Sequence, residues 1–307
     1  MTETIVPPTL EEFRRFGGAA GGSAGRLDIS GVTVELEGLP DDLAAALQAR
    51  YAPYFGPATG AANPLRVRVR SAPLEYFVPP GFASGYEVYR MATALEGRVF
   101  RTVSYRLASW IDLAARMGEA ALASGPLDPA PRAFENFLRS SVAWLAQEAG
   151  GFFLHGASIV RNGFCYLFYG PSGAGKSTLA AMNREGRVIS DDLTLVLEMD
   201  GVLHGCGGPF RGTYQAGLPV IGAFPVAGFY RLRRDARTAI EPDDGGCFAD
   251  LVGNLPFVVD QLARRGDLMD ALRARIAAAR FRYLHFRRDA PFWEVIDADA
   301  ARDAPPG

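Results

Sequence analysis

The sequence predicts an α/β fold with a mixed β-sheet and a phosphate-binding loop (P-loop), preceded by a small α+β domain. Three observations lead to this prediction. The stretch GPSGAGKS at residues 170–177 fits the pattern G-x-x-x-x-G-K-[ST]. It follows the apolar run FCYLFY, which is typical of a buried strand, and precedes a segment typical of a short helix. Between about residues 27 and 110, apolar and polar residues mostly alternate, as they do in half-buried strands.

The chain is long and apolar enough to bury a substantial core. Its 307 residues allow two domains, and 49% of them are hydrophobic while 21% are charged, which is ordinary for a globular protein. The formal net charge is -2, so the chain as a whole has no attraction to nucleic acid or to anionic membranes. We therefore expect no nucleic-acid partner and no membrane association.

Cysteine usage and the amino terminus predict a cytoplasmic protein. The three cysteines, at positions 165, 206 and 247, are widely spaced and form no C-x-x-C pattern. This indicates a reducing compartment without a disulfide framework or a zinc site. The opening stretch MTETIVPPTLEEFRRF is acidic and interrupted by proline, without the apolar core of a signal peptide. No apolar run approaches the length of a membrane span.

The amino-terminal part predicts a flexible segment followed by the small α+β domain. The flexible segment is residues 1–26, where GGAAGGSAG at 17–25 is a low-complexity stretch expected to make no packing contacts. The small domain is residues 27–122. Its predicted elements are strands at 32–38 and 65–72, a capped helix within 41–55, and a hairpin that turns at Glu96-Gly97. The proline-rich segment 123–132 marks the boundary that follows.

Residues 132–300 are predicted to form the larger α/β domain. It begins with a helix at 132–151 and a hairpin that turns at Arg161-Asn162-Gly163, because Asn-Gly is a strong hairpin signal. Similar signals occur at Asp200-Gly201 and around Asp235. The remainder predicts a helix over 257–280, with a break at Gly266, and closing strands at 281–288 and 292–297. So many hairpins near the loop indicate a mixed sheet rather than a purely parallel one.

The loop after FCYLFY contains the single lysine of the chain. There are 32 lysine and arginine residues in all, and only Lys176 is a lysine. Glycines let such a loop approach phosphate closely, and its amides and the following helix N-terminus point at the anion. A compact ammonium suits this loop better than the wide planar fork of arginine. The alternative is a chance match in a glycine-rich turn, which leaves the lone lysine unexplained. The predicted nucleotide-binding residues are Gly170, Pro171, Ser172, Gly173, Ala174, Gly175, Lys176, Ser177 and Thr178.

Two adjacent carboxylates follow the loop closely. Asp191 and Asp192 lie 14 and 15 residues after Ser177, in the apolar segment VISDDLTLV. A nucleotide site needs a Mg²⁺ ligand besides the serine hydroxyl and a group that handles the nucleophile. Neighbours in a regular strand point to opposite faces, so both aspartates reach one site only at a strand end or a bulge. The alternative is that one of them faces solvent or caps a turn.

His155 and Arg211 are further candidates. His155 lies on the other arm of the hairpin that leads into the loop, where it can orient a carboxylate. A core histidine bonded to a backbone carbonyl is the alternative. Arg211, in GGPFRG, can donate to phosphate. The remaining histidines, at 204 and 285, are expected to be structural or exposed, and the arginines at 273, 275, 280, 282, 287 and 288 are attributed to solvated surfaces rather than to nucleic-acid binding.

Taken in order, these pieces resemble the HPr kinase/phosphorylase family and its HPr-kinase-related serine kinases. The matching pieces are the pair His155-Gly156, GPSGAGKS, SDD and PFRG. The nucleotide core of that family is similar to phosphoenolpyruvate carboxykinase. The resemblance covers about residues 150–257, and the short spacing from the loop to the paired aspartates is its most specific part. The region 27–110 looks more like the short leader of HPr-kinase-related proteins beside modified-peptide pathways, including lasso-peptide kinases.

The resemblance implies a role for each of these residues. It implies that the loop binds Mg²⁺-ATP, with Lys176 on the β- and γ-phosphates and Ser177 on the metal. It also implies that Asp191 is the base toward a substrate serine, that Asp192 helps to hold the metal, and that His155 supports the base. Arg211 corresponds to the arginine-glycine step that follows the aspartates in the family, and it completes the predicted catalytic set.

The sequence thus predicts an enzyme, a kinase that uses ATP and Mg²⁺ to phosphorylate a serine hydroxyl of a small protein or peptide. The alternatives are a small-molecule kinase, a nucleotide-dependent switch or ATPase, and a nucleotide-binding scaffold without catalysis. Against the switch, a chain with one lysine has no room for an N-K-x-D guanine-reading motif, and no L-S-G-G-Q signature occurs. The sequence leaves the acceptor open and is compatible with a homo-oligomer.

Overall fold

The computed structural model of the chain describes residues 6–57, 63–73, 77, 91–104, 106–124, 130–214, 216–258, 266–288 and 291–303. The chain divides into two compact units, Met1–Leu145 and Ala146–Gly307. Each unit combines helices with a mixed multi-stranded sheet, so the predicted α/β class with a mixed sheet is confirmed. No helix in the described ranges is both long and apolar enough to cross a membrane.

The first unit is built on a sheet of eight described strands. They are β1 (Ser23–Ile29), β2 (Val32–Leu39), β3 (Phe55–Gly56), β4 (Leu65–Ala72), β5 (Met91–Glu96), β6 (Val99–Ser104), β7 (Leu107–Asp112) and β8 (Met117–Ala123). The helices are α1 (Leu10–Arg14), α2 (Asp41–Tyr51) and α3 (Ala130–Glu148). The strand order is β3-β1-β2-β4-β8-β7-β6-β5. The β2–β4 and β4–β8 pairs are parallel, and the other pairs are antiparallel.

Most elements predicted for the first unit are present. The strands expected at 32–38 and 65–72 are β2 and β4, and β4 alternates as its sequence does, with Leu65, Val67 and Val69 buried. The hairpin of β5 and β6 turns at Gly97, as predicted. The helix within 41–55 is α2, which begins at Asp41 as predicted but lacks the predicted side-chain cap. Pro40 stands at the N-cap and makes no side-chain cap hydrogen bond.

Helix α1 lies within the segment 1–26 that was predicted to be flexible. It begins with a capping box, in which Thr9 and Glu12 bond reciprocally. The rings of Phe13 and Phe16 are 1% and 8% exposed. They belong to a buried cluster that includes Val103 of the sheet. Aromatic burial therefore fixes this part of the segment against the first unit.

The glycine-rich stretch 17–25 also makes close contacts, so the expectation that it lacks packing is wrong. β1 begins inside it at Ser23, and the Gly21 amide donates to the Gly38 carbonyl at 2.8 Å. A Cβ atom on Gly18 would lie 1.5 Å from the carbonyl oxygen of Ser71. Glycine at this position allows two backbone segments to approach closely rather than providing flexibility.

We expect Phe13→Ala to destabilise the first unit by about 3 kcal/mol, because it removes a buried ring and leaves a cavity. Arg14→Ala, at the exposed neighbouring position of the same helix, should change stability by less than about 0.5 kcal/mol. Urea denaturation followed by circular dichroism compares the two variants. Equal midpoints would contradict the packing of α1.

Helix α3 confirms the helix predicted over 132–151, but most of it belongs to the first unit. The Trp144 and Phe100 rings lie 5.4 Å apart, and Glu135 pairs with Arg50 at 2.7 Å. The division of the chain into two compact units falls after Leu145, inside this helix. Residues 125–129 of the predicted boundary segment 123–132 lie outside the described residues. The boundaries of 27–122 and 132–300 stay predictions.

The second unit contains a further set of eight described strands. They are β9 (Gly151–Arg161), β10 (Phe164–Tyr169), β11 (Arg187–Ser190), β12 (Leu193–Met199), β13 (Val202–Cys206), β14 (Ala223–Arg234), β15 (Ala239–Pro242) and β16 (Phe281–Phe286). The helices are α4 (Lys176–Met182), α5 (Cys247–Val252), α6 (Gly266–Ile276) and α7 (Trp293–Asp303). The order is β10-β9-β12-β13-β14-β16-β15, with β11 paired to β9 and β10 also paired to β14. The β10–β14 and β14–β16 pairs are parallel.

Two of the three hairpins predicted in the second unit are present. β9 and β10 turn at Asn162-Gly163, and β12 and β13 turn at Asp200-Gly201, with positive φ at all four residues. The third prediction, a hairpin around Asp235, is wrong. β16 lies between β14 and β15, so the two arms pair with a strand that comes much later in the chain.

The carboxyl-terminal predictions are confirmed in part. The strand expected at 281–288 is β16, and α6 (Gly266–Ile276) forms part of the helix expected over 257–280. Residues 259–265 of that expected helix lie outside the described residues, so the break at Gly266 stays a prediction. The strand predicted at 292–297 is wrong, because this segment enters helix α7. Phe292, Trp293 and Ile296 are buried together in one cluster, and their spacing is that of one helical face.

Candidate functional site

Strand β10, a glycine loop (residues 170–175) and helix α4 follow one another, so the predicted strand and helix are both present. The loop has positive φ at Gly170, Gly173 and Gly175. At Gly175, φ is +105° and a Cβ atom would lie 2.4 Å from the ring of Phe286. This position therefore needs glycine both for its backbone conformation and for space.

The side chain of Lys176 turns back onto the glycine loop. Its Nζ donates to the carbonyl oxygens of Gly170 at 2.9 Å and Pro171 at 3.3 Å, and the residue is 8% exposed. Burial lowers the pKa of Lys176, the charge of Asp192 raises it in part, and the charge of Arg231 lowers it further. No carboxylate of the described residues is within ion-pair distance of this ammonium, so its charge is available to an anion that enters beside the loop.

Asp191 and Asp192 occupy a bend between β11 and β12 rather than the middle of a strand. Ser190 stabilises the bend. Its hydroxyl donates to the Phe210 carbonyl at 2.8 Å and accepts the amides of Asp192 at 3.0 Å and Leu193 at 3.1 Å. Because the strand is interrupted here, the alternation of side chains no longer sends the two carboxylates to opposite faces, and both line the same cavity.

Asp191 is held by donors from residues 212–214. Its Oδ2 accepts the Thr213 amide at 3.2 Å, the Thr213 hydroxyl at 3.0 Å and the Tyr214 amide at 3.1 Å, while Oδ1 accepts the Gly212 amide at 2.9 Å. The residue is 3% exposed, and these four bonds compensate for the burial of its charge. Oδ2 is saturated, whereas Oδ1 keeps capacity for another ligand.

Asp192 is the more open carboxylate and lies beside His155. Its side chain is 27% exposed, and its Oδ1 is 3.7 Å from Nε2 of His155. Strand β9 creates this arrangement, because His155 pairs with Leu193 while the next residue, Gly156, pairs with Tyr169 at the end of β10. The family resemblance implies that His155 supports Asp191, whereas in the structure its ring lies beside Asp192.

Most of the predicted site residues line one cavity of about 320 Å³. Those that line it are His155, Ser172, Gly173, Gly175, Lys176, Ser177, Thr178, Asp191 and Asp192. Gly170, Pro171 and Ala174 belong to the glycine loop without being among the lining residues. A buried cation, two carboxylates and two hydroxyl-bearing residues that follow the cation directly therefore share one concave surface.

Arg211 is a predicted catalytic residue whose side chain makes its contacts outside the cavity. Its guanidinium donates to the carbonyl oxygens of Gly217 at 3.3 Å and Leu218 at 3.0 Å, and it is not among the cavity-lining residues. Its side chain therefore braces the segment that carries it. The contribution of this segment to the cavity comes from the next two residues, Gly212 and Thr213.

Three lining residues were not predicted from the sequence: Gly212, Thr213 and Arg234. Gly212 and Thr213, in the PFRGT segment, donate hydrogen bonds to Asp191. These residues are about twenty positions from Asp191, so local sequence patterns do not reveal the contacts. The alternation in YRLRR could have indicated Arg234 from the sequence. Tyr230 and Leu232 are buried in one cluster, and Arg234 is the next residue on the same face of the strand.

Inferences about function rest on the cavity rather than on matches to known proteins. No protein-family model matches the chain, and no curated protein matches it. Within the described ranges, no group of three or more His, Cys, Asp and Glu side chains is placed to hold a metal ion.

Proposed function

We propose that this chain is a kinase that binds ATP with Mg²⁺ and transfers the terminal phosphoryl group to a serine hydroxyl of a small protein or peptide. The observation that carries the proposal is the cavity in which the buried ammonium of Lys176 and the carboxylates of Asp191 and Asp192 meet beside the glycine loop. Phosphoryl transfer requires a fixed cation, oxygen ligands for Mg²⁺ and a group that handles the nucleophile. The resemblance to the HPr kinase/phosphorylase family supports serine as the acceptor.

The glycine loop and Lys176 are assigned to the nucleotide phosphates. The loop fits the P-loop pattern, in which backbone amides surround phosphate oxygens and the lysine reaches the outer phosphates. Among the described residues, the Nζ atom of Lys176 is bound only to two neutral carbonyl oxygens. A phosphate oxygen is a stronger partner for a buried ammonium than these carbonyls, because both members of that pair are charged.

Ser177 and Asp191 fit the preferences of Mg²⁺. This ion favours hydroxyl and carboxylate oxygens, keeps several waters, and is commonly bound through one or two carboxylates together with substrate phosphates. Both residues line the cavity, and Oδ1 of Asp191 accepts a single hydrogen bond. When bound there, Mg²⁺ would neutralise charge on the outer phosphates. This gives Asp191 the metal role that the family resemblance gave to Asp192.

Asp192 is the better candidate for the general base. A base must reach the acceptor hydroxyl, and the side chain of Asp192 is 27% exposed at the cavity. Asp191, by contrast, is bound on both carboxylate oxygens by residues 212–214. His155 lies 3.7 Å from Asp192 and can hold its carboxylate in position. We therefore exchange the two roles that the resemblance implies for the aspartates.

The direct test is transfer of label from ATP labelled at the γ-phosphate, with serine-containing peptides and protein extracts as acceptors. Label on a peptide or protein serine supports the proposal. Label on a small molecule favours the small-molecule kinase, and release of inorganic phosphate alone favours the ATPase. Lys176→Met is the control for contaminating kinases, and absence of ATP binding by the unmodified chain would refute the proposal.

Asp191→Asn should raise the Mg²⁺ concentration needed for half-maximal activity by about tenfold or more, a typical loss when groups around a metal site are removed. The amide presents one oxygen acceptor and sets an NH₂ group against donors of residues 212–214. The matched control is Asp297→Asn, which removes an exposed carboxylate paired with Arg161 outside the cavity. Unchanged Mg²⁺ dependence in Asp191→Asn would mean that Asp191 holds residues 212–214 in place and is not a metal ligand.

A further inference from the structure

Arg234 is a second cation at the cavity that holds Lys176. It is the last residue of β14, it is exposed, and it is one of the residues that line the cavity. It makes no hydrogen bond or ion pair with any residue in the described ranges. A guanidinium that lines a cavity without an anionic partner is a candidate ligand for an anion that enters it.

The strand arrangement explains why Arg234 reaches the cavity. β14 runs parallel to both β10 and β16, and the ends of parallel strands lie at one edge of a sheet, where ligands commonly bind. The glycine loop leaves β10 at this edge. Tyr230 and Leu232 of β14 are buried with Leu179 of α4, and Arg234 is the next residue on that face.

The two neighbouring arginines of β14 differ from Arg234 because each lies within ion-pair distance of a carboxylate of the unit. Arg231 pairs with Asp250 at 2.6 Å. Arg233 lies 3.8 Å from a carboxylate oxygen of Glu241, with its guanidinium 3.5 Å from the centre of the Tyr283 ring. Both are on the face of β14 opposite to Arg234. Of the three arginines at this end of β14, Arg234 is the one among the cavity-lining residues, and it lacks a counter-charge among the described residues.

We propose that Arg234 binds the terminal phosphate of the nucleotide and thereby makes the site select a triphosphate over a diphosphate. This inference rests on the proposed function. The planar guanidinium can donate two parallel hydrogen bonds to phosphate oxygens, which a lysine cannot do. Lys176 is fixed at the base of the glycine loop, so Arg234 provides a second, separate cation for the phosphate that ADP lacks.

Arg234 also serves the transfer step in this arrangement. The bond between the γ-phosphorus and the oxygen bridging to ADP breaks, and the electron pair of that bond leaves with ADP. The serine oxygen forms the new bond to phosphorus, and its proton passes to the carboxylate of Asp192. During this exchange negative charge is spread over the three equatorial oxygens of the transferred group, and a guanidinium bound to them stabilises that charge.

The test is a titration with Mg²⁺ and either ADP or an ATP analogue whose β,γ-bridge is an imido group. It compares the unmodified chain, Arg234→Gln and the matched control Arg233→Gln from the opposite face of β14. We expect Arg234→Gln to weaken binding of the triphosphate analogue by about tenfold or more, as for loss of a hydrogen bond to a charged group. Its ADP affinity should stay within about twofold, and Arg233→Gln should change neither affinity.

The outcomes separate the inference from the function on which it rests. An equal loss for ADP and the triphosphate analogue would place Arg234 on another part of the nucleotide and overturn the inference, as would no loss for either. Failure of the unmodified chain to bind any nucleotide would instead refute the proposed function. Arg234→Lys keeps the charge without the fork, so we expect it to recover part of the triphosphate affinity. Circular dichroism of each variant confirms that the fold is retained.

Discussion

Lys176→Met is expected to abolish nucleotide-dependent activity while leaving the chain folded. The substitution keeps an unbranched side chain of similar length and removes the ammonium. Loss of one charge-assisted hydrogen bond predicts a fall in nucleotide affinity of about 10- to 100-fold. Loss of a fixed donor to charge that develops in the transition state predicts a fall in turnover of about 10²- to 10³-fold. Nucleotide titration and label transfer measure these two effects separately.

The fold should tolerate this change because the native ammonium is costly where it lies. Lys176 is 8% exposed, and burial lowers its pKa, so removal of the charge relieves a desolvation cost. The two carbonyl oxygens that lose the ammonium as a hydrogen-bond donor belong to the glycine loop. We therefore expect the urea midpoint of Lys176→Met to equal or exceed that of the unmodified chain. A large loss of stability would mean that the ammonium is structural.

Lys176→Arg is the sharper control, because it keeps the charge. The planar fork of arginine is wider than an ammonium, and Lys176 Nζ fits between two carbonyl oxygens of a tight loop at 2.9 and 3.3 Å. We expect this variant to be nearly as inactive as Lys176→Met. Full activity in Lys176→Arg would remove the explanation for a single lysine in a chain that otherwise uses arginine.

The loop and its neighbours could be predicted from the sequence because their determinants are local. The β10 strand, the start of α4 and the Asn162-Gly163 turn all depend on residues a few positions apart. For Asp191 and Asp192 the sequence provides only a requirement: both carboxylates reach one site only if the strand ends or bulges there. The bend at these residues is set by Ser190, whose hydroxyl bonds the carbonyl of Phe210 twenty positions later.

The misassigned elements depend on contacts between distant segments. Phe292 and Trp293 begin an apolar run that fits a short strand as well as one face of a helix, and burial in a cluster with β10 and β14 decides for the helix. Likewise, the pattern around Asp235 has the form of a hairpin. Its arms are separated by β16, which begins at residue 281.

The roles of the two aspartates could not be separated by sequence for the same reason. Adjacent residues of one type give no signal that distinguishes them. The difference arises from residues 212–214, which bond Asp191, and from β9, which brings His155 to Asp192. Our proposal for the two roles therefore rests on burial and hydrogen bonding, which the spacing of the residues does not report.

Asp192→Asn is the second large effect that we expect, and it should appear in turnover rather than in nucleotide affinity. The amide keeps the size of the side chain and removes the proton acceptor. Because only the transition state needs this acceptor, kcat should fall by about 10²- to 10⁴-fold while ATP binding stays nearly intact at neutral pH. His155→Ala should cause a smaller fall of the same kind. It should add little in the double variant, because residues that act as a unit are not additive.

The pH dependence of ATP binding gives Asp192→Asn a second signature. The charge of Asp192 raises the pKa of Lys176, against the lowering caused by burial. Without that charge the pKa falls further, and the ammonium loses its proton at a lower pH. Since the phosphates require the charged form of Lys176, the alkaline loss of ATP binding should move to lower pH in Asp192→Asn, and it should not move in Asp297→Asn. If Asp192→Asn instead raises the Mg²⁺ requirement with turnover preserved at saturating metal, and Asp191→Asn loses turnover, the two aspartates have the roles that the family resemblance implies.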